Sequence, residues 1–470
     1  MIGLRPYQIQ AVDRLRSTIR AGHRRIVLVA PTGAGKTIIA SHIIHSAVAR
    51  GTMVLFLAHR RELINQASSK LDDVGIDHGV VMADHPRDRP ELPVQVASVQ
   101  TLVRRLEGNS GLPELIIIDE AHRATAASYR NILHRFPRAT VLGLTATPER
   151  SDGRGLGELF EEIIEVASTA ELTEMGFLVP ARIHAPSIPD LAKLKITQGD
   201  YDKGQAFAVM DRAVIVGEIV EHWLHLAKGR TTVAFAVNVE HSKHIRDSFL
   251  AEGVHAEHLD GTTPETERDA ILNRLATGET LIVANCGILT EGWDLPRTSC
   301  AVLARPTKST GLYLQMVGRV LRTDPGKGDA IILDHAGCVH EHGFPTDPRE
   351  WSFEGKKRQK EKNEAKLKIC PGCFFAFSPG RKVCPQCGWQ PALHPVRGVV
   401  QTGGHLVQFE YNVPALNSNR VNVVKDLAAF AKAKGYKEGW VWHKLKDQYG
   451  RQIANSLMRE VRTNQKIIRA

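Results

Sequence analysis

The sequence predicts an α/β protein with two tandem doubly wound parallel-sheet domains, and three observations support this. The chain has 470 residues, more than one ordinary hydrophobic core holds. Short apolar runs alternate with amphipathic stretches, first over 26–144 and again over 232–333. A glycine-rich segment, APTGAGKT, sits where the first apolar run meets the first amphipathic stretch.

In the first series the apolar runs are 26–30, 54–58, 94–97, 115–119 and 141–144. Strands covered by helices on both faces read as short, nearly all-apolar segments, so each run is a candidate buried parallel strand. The stretches 38–49 and 61–71 carry apolar residues at helical spacing. The second series is 232–236, 256–259, 281–284, 300–303 and 330–333. The join near 168–190 contains Pro180, Pro186 and Pro189. This organisation divides the chain into a first domain at 1–168, a connector at 169–212 and a second domain at 213–354. A basic linker with a cysteine module follows at 355–395, then a small basic α+β accessory domain at 396–470. Within the last, Gly403-Gly404 suggests a hairpin, and helices are expected at 422–434, 440–449 and 453–461.

Ala30-Pro31-Thr32-Gly33-Ala34-Gly35-Lys36-Thr37 has the form of a phosphate-binding loop. Glycines at 33 and 35 let backbone N–H groups turn inward, and the following helix adds the positive end of its dipole. Lys36 would reach the β- and γ-phosphates and Thr37 would hold Mg²⁺. Ala30 stands where the strict motif has glycine. The run LIIID ends in the acid pair Asp119-Glu120, followed by Ala121-His122. Neighbouring side chains at a strand end diverge, so the two acids can divide the work. Asp119 would bind Mg²⁺, Glu120 would activate water, and His122 would link the pair to the next strand. Thr145 and Thr147 end the run 141–144 and place hydroxyls near the acids.

Four of the seven cysteines, Cys370, Cys373, Cys384 and Cys387, form CxxC–x10–CxxC. Two such knuckles give a closed tetrahedral site for structural Zn²⁺. Cys286, Cys300 and Cys338 read as small buried apolar residues. Phe374, Phe375 and Phe377 supply a small core for the module or stack on bases. The formal net charge of +10 is uneven. Residues 356–470 carry 22 Lys and Arg against 7 Asp and Glu, or +15, which leaves −5 for residues 1–355. The tail segment 435–446 interleaves basic and aromatic residues, as nucleic-acid surfaces do and as packed helices also do. No apolar run reaches the ~18–20 residues that span a bilayer, and the N-terminus lacks a secretion pattern, so no membrane partner and a cytoplasmic location are expected.

With these motifs in this order, the chain resembles the superfamily 2 helicases over residues 3–335. The resemblance implies two RecA-like lobes with ATP and Mg²⁺ between them. LRPYQ at 4–8 is similar to the adenine-reading element, so Arg5 would stack on the base and Gln8 would bond its edge. AHRREL at 58–63 and SVQTL at 98–102 are similar to strand-tracking motifs, which assigns Arg60, Gln100 and Thr101 to the sugar–phosphate backbone. FAVNVEHS at 235–242 adds His241, and NCGILTEGWDLP at 285–296 adds Thr290 for the strand and Gly292 and Asp294 for ATP. QMVGRVLR at 315–322 supplies Gln315 for coupling and Arg319 and Arg322 as arginine fingers, one helical turn apart. Met316 stands where many relatives have arginine. LRPYQ, TEGWDLP and QMVGRVLR most resemble the XPB-like and UvsW-like group of bacterial and phage helicases. That group implies a DNA helicase or translocase, monomeric on DNA, in the bacterial cytoplasm or nucleoid, with replication, recombination or repair proteins as partners. The residues alone leave open an RNA helicase and an ATP-switched nucleic-acid clamp.

Overall fold

Ten apolar runs predict ten strands, and all ten are present, within two residues at either end, in the computed structural model. It describes residues 3–106, 112–149, 155–186, 189–353, 367–390, 441–443 and 445–446. The chain divides into two compact units, 1–392 and 393–470.

In the first unit, β1 (Arg25–Val29), β2 (Val54–Ala58), β3 (Gly79–Val81), β4 (Val94–Ser98), β5 (Leu115–Asp119), β6 (Thr140–Thr145) and β7 (Glu162–Glu165) build one sheet. Its order is β3-β4-β2-β5-β6-β1-β7, and every pairing is parallel. Ile116, Ile117 and Ile118 of β5 are fully buried because helices cover both faces. Each such side chain contributes about 1.5–3 kcal/mol of hydrophobic stabilisation. The order sets β5, β6 and β1 side by side. Their C-terminal ends carry the acid pair, the threonine hydroxyls and the phosphate-loop sequence, where ligands of open α/β sheets bind.

A second sheet contains β8 (Ala181–His184), β11 (Thr232–Phe235), β12 (Ala256–Leu259), β13 (Ile282–Asn285), β14 (Cys300–Leu303) and β15 (Ala330–Asp334). Its order is β12-β13-β11-β14-β15-β8, again all parallel. Between β8 and β11, β9 (Ile196–Thr197) and β10 (Asp200–Tyr201) form a two-stranded hairpin. β8 lies within the stretch expected as connector, yet it completes the second sheet. It is an edge strand with two half-buried residues, so its sequence lacks a continuous apolar run. β7, an edge strand of the first sheet, escapes the pattern for the same reason; β3, at the other edge, is fully buried but only three residues long, too short to stand out as an apolar run.

The cysteine segment forms a short antiparallel pair, Lys368–Ile369 with Ala376–Phe377. It docks on β8: the Ala185 N–H donates to the Phe374 carbonyl at 3.0 Å, and His184 Nδ1 lies 2.9 Å from the Cys373 carbonyl oxygen. The Phe374 ring stands edge-on to His222, and Phe377 is buried among the cysteines. In the second unit, residues 441–443 and 445–446 are helical. Val441 and Leu445 are buried, while the Lys446 ammonium lies 5.6 Å from the Trp442 ring. The hairpin expected at 403–404, the helices expected at 422–434 and 453–461, and residues 356–366 of the basic linker lie outside the described residues. Among the described residues, no helix is long and apolar enough to cross a membrane.

Candidate functional site

The segment Ala30–Gly35 leaves β1 and ends where the helix Lys36–Val48 begins. Gly33 and Gly35 have φ of +91° and +81°, the left-handed region that side chains avoid. Gly35 is doubly required, because a Cβ there would lie 2.5 Å from Gln8 Nε2. The helix Pro6–Arg20 braces this loop from its first turn. Gln8 Nε2 and the Tyr7 hydroxyl both donate to the Ala34 carbonyl, at 2.9 and 3.0 Å. Arg5 lies flat over the Phe177 ring, 4.2 Å from its centroid. Gln8 thus touches the loop directly, whereas Arg5 is placed beside it through the Phe177 ring and the Tyr7 hydroxyl. Thr37 follows Lys36 in the first turn of the helix. Lys36 Nζ donates to the Ala30 carbonyl at 3.1 Å. Burial pushes its pKa down, against the nearby carboxylates of Glu120 and Asp119.

Asp119 ends β5, and Glu120 takes φ +51°, ψ +57°. That left-handed turn sends the two carboxylates in different directions. Burial, with the adjacent Glu120, pushes the Asp119 carboxyl up. Burial pushes Glu120 up as well, but the hydrogen bond from His122 and the charges of Lys36 and His122 outweigh it and hold it below its ordinary value. His122 Nδ1 sits 3.4 Å from both Glu120 Oε2 and Thr145 Oγ1. The Thr145 hydroxyl donates to the Thr147 carbonyl at 2.7 Å, closing a turn just beyond β6. The hard oxygen donors of Thr37 and Asp119 suit Mg²⁺.

The second lobe meets this surface through the helix Thr310–Gly318 and the residues after it. Gln315 Nε2 donates to Glu120 Oε2 at 3.5 Å. A Cβ on Gly318 would lie 2.5 Å from Thr32 Cβ, and one on Gly33 would lie 3.3 Å from Arg322 Cγ. Arg319 is buried; its Nε donates to the Thr290 carbonyl at 3.1 Å and its Nη1 to the Trp293 carbonyl at 2.6 Å. Arg322 is ion-paired to Asp294. Gly292 packs against Glu62 and Leu63 of the first lobe. The residues expected to bind ATP from both lobes thus converge on one boundary.

The residues expected to follow a nucleic-acid strand are more scattered. Arg60 Nη1 donates to the Gly287 carbonyl at 3.4 Å, across the lobe boundary. Gln100 Nε2 donates to the His59 carbonyl at 3.2 Å, and Thr101 is half-buried beside it. Thr290 is buried next to Arg319. His241 is a correction: it is fully buried against Phe207, and burial pushes its pKa down to about 4. A strand on the surface has no access to that ring. Sequence reasoning passed over Glu291, Arg123 and His59, which meet at the lobe boundary. No local pattern signals this contact, because the partners lie 168 or more positions apart and on different lobes.

The four cysteine sulfurs lie within 4.8 Å of one another, with Cys370–Cys387 at 3.5 Å and Cys373–Cys384 at 3.8 Å. An ion bonded tetrahedrally to four thiolates sets sulfurs ~3.8 Å apart. Each knuckle is followed by a left-handed residue, Phe374 after Cys373 and Gly388 after Cys387. Of the remaining cysteines, Cys300 and Cys338 are buried and Cys286 is half-buried.

Known families match the two lobes separately. Residues 1–150 match the family described as "Type III restriction enzyme, res subunit", and residues 215–324 match the "Helicase conserved C-terminal domain". A 51.5 kDa protein of a Lactococcus phage is 33% identical over 366 residues, covering 77% of each chain. The "Putative ATP-dependent helicase IRC3" of Saccharomyces cerevisiae is 36% identical over 355 residues, 71% of this chain and 52% of its own length. The "DNA 3'-5' helicase XPB" of Mycobacterium tuberculosis is 27% identical, over 73% of this chain and 63% of its own. The chain therefore spans about half to two-thirds of those two relatives. Among solved structures, a fragment of a putative HsdR subunit of a type I restriction enzyme from Vibrio vulnificus aligns with a TM-score of 0.58. It is 24% identical over 72% of this chain and 66% of that one, a likeness of fold.

Proposed function

The chain belongs to the superfamily 2 helicases, and from that premise we propose that it is an ATP-driven motor that moves along DNA or parts its strands. One observation carries this reading. Lys36, Thr37, Asp119 and Glu120 of the first lobe face Gln315, Arg319 and Arg322 of the second across one boundary, with Gly318 seated on Thr32. Two lobes that share one nucleotide site open and close as that site is filled and emptied.

Lys36 and the backbone of 31–37 bind the β- and γ-phosphates. Arg5 and Gln8 bind the base. Thr37 and Asp119 hold Mg²⁺, which when bound screens the phosphate charge. Glu120, kept ionised by His122 and Lys36, accepts the proton of the attacking water. Arg319 and Arg322 steady the charge that develops on the γ-phosphoryl group. His122, Thr145, Thr147 and Gln315 connect Glu120 to the second lobe. Gly292 and Asp294 complete the nucleotide site from the second lobe, Asp294 beside Arg322. Arg60, Gln100, Thr101 and Thr290 contact the strand backbone. Cys370, Cys373, Cys384 and Cys387 hold structural Zn²⁺. The +15 charge of residues 356–470 favours a polyanionic partner, because the motor body is acidic.

The test is ATP turnover with no nucleic acid, single-stranded DNA, duplex DNA, forked DNA and RNA, paired with strand displacement. DNA should stimulate turnover, and Lys36→Ala should lower it about 100-fold or more. Stimulation by RNA alone would make this an RNA helicase. Nucleotide-dependent binding without turnover would make it a clamp. Full turnover in Lys36→Ala would overturn the site.

A further inference from the structure

Glu291 follows Thr290 in the loop between β13 and β14, and its side chain is only 4% exposed. A carboxylate that deep requires compensation. All of it comes from the other lobe. Arg123 Nη2 donates to Oε1 at 2.9 Å, His59 Nε2 lies 3.2 Å from Oε2, and Arg60 Nε lies 3.5 Å from Oε2. Burial would push this carboxyl up, but His59, Arg123 and Arg60 hold it far below the usual range.

Two further features bear on what this contact does. Arg60, Arg123 and Glu291 line a cavity of about 560 Å³ that opens between the lobes, together with Thr290, Lys203 and Arg305. The arginines themselves are 29% and 41% exposed, so they face that space as well as Glu291. The same short loop also holds Arg319, through the carbonyls of Thr290 and Trp293. One four-residue segment therefore engages Arg60 and Arg123 at the cavity and Arg319 behind it.

We propose that Glu291 is an internal substitute for a nucleic-acid phosphate: it holds Arg60 and Arg123 until a strand enters the cavity, then yields them to a phosphodiester. Guanidinium groups accept carboxylate and phosphate with the same forked geometry, so the exchange conserves the bonding. Displacing Glu291 loosens residues 290–293 and frees Arg319 from its two carbonyl partners. Strand binding is thereby linked to delivery of an arginine finger. This rests on the reading of the chain as a DNA-stimulated motor.

The test uses the full chain and a fluorescent oligothymidylate, with binding measured across a salt series. Glu291→Gln should bind up to about tenfold more tightly, the gain expected if the arginines are free only a tenth of the time in the parent. Its affinity should also fall more steeply with salt, by about 0.7 in log–log slope for each arginine freed. Glu291→Asp, which keeps the charge, should retain the parent slope. A Glu291→Gln chain that melts like the parent, yet binds no tighter and with an unchanged slope, would reduce Glu291 to a tie between lobes. Carbodiimide labelling of the parent chain decides the matter if that variant does not fold. Labelling of Glu291 should rise when oligothymidylate binds, and unchanged labelling overturns the proposal. Failure of the parent to bind DNA or be stimulated by it removes the motor reading, and the exchange with it. Stimulation of the parent with an indifferent Glu291→Gln removes the exchange alone.

Discussion

The two lobes contribute to the same boundary in different states of readiness. On the first lobe, the groups are fixed by bonds within that lobe and close to where they would act. Gln8 and Tyr7 brace the Ala34 carbonyl, and His122 bridges Glu120 to Thr145. On the second lobe, both arginines are occupied elsewhere: Arg319 by the carbonyls of Thr290 and Trp293, Arg322 by Asp294. A group that must exchange partners before it can act is a point of control. A group already in place is a point of binding. On the proposed reading, the first lobe would set whether nucleotide is held and the second would set when it is cut.

The largest effect that tests this division comes from Arg319→Ala. Arginine fingers are worth ~10³–10⁵ in turnover. The variant should lose turnover on that scale while nucleotide affinity changes only a few-fold, measured by steady-state kinetics and by titration with a fluorescent nucleotide. A loss of affinity matching that of Lys36→Ala would erase the distinction between the lobes. Gly318→Ala should come next. Its new Cβ would stand 2.5 Å from Thr32 Cβ, an atom fixed to the backbone, so the lobes must part. A displacement of ~1 Å at a reacting centre costs ~10²-fold in rate. The loss should appear in kcat more than in KM, and a parent-like kcat would mean the seated contact is not part of the productive state.

The same contrast explains what was readable from sequence. The first lobe's site is built from strand ends that are neighbours in the sheet, and its residues sit in short continuous motifs such as 30–37 and 119–122. The central strands are legible because burial on both faces leaves only apolar residues, as in LIIID. The edge strands β7 and β8 are partly exposed and lose that signature, and β3 is too short, at three residues, to carry it. Contacts between lobes are not legible at all. Nothing near Arg60 or Arg123 names Glu291 as their partner, since the pairing spans 168 or more positions and depends on how the sheets meet. His241 shows the converse, because a motif position assigned to the strand by resemblance is buried by the local packing of Phe207.

The smallest effect concerns the cysteine module, which is held to β8 of the second lobe. Its knuckle at Cys373 and Phe374 satisfies the edge of β8 through Ala185 and His184. Loss of metal should release those bonds without touching the nucleotide site. A structural Zn²⁺ site that is emptied lets its knuckles relax, and the bonds to Ala185 and His184 are worth about 1 kcal/mol each. For a lobe of this size, that corresponds to a drop of ~2–4 °C in melting temperature per kcal/mol. Cys384→Ser, or chelation of the parent, should therefore lower Tm by several degrees while turnover per folded molecule holds. Unchanged melting would mean the module rests on β8 without bracing it. A collapse of turnover at temperatures where the second lobe is still folded would place the module in the motor cycle itself, and the contrast between a binding lobe and a timing lobe would need a third participant.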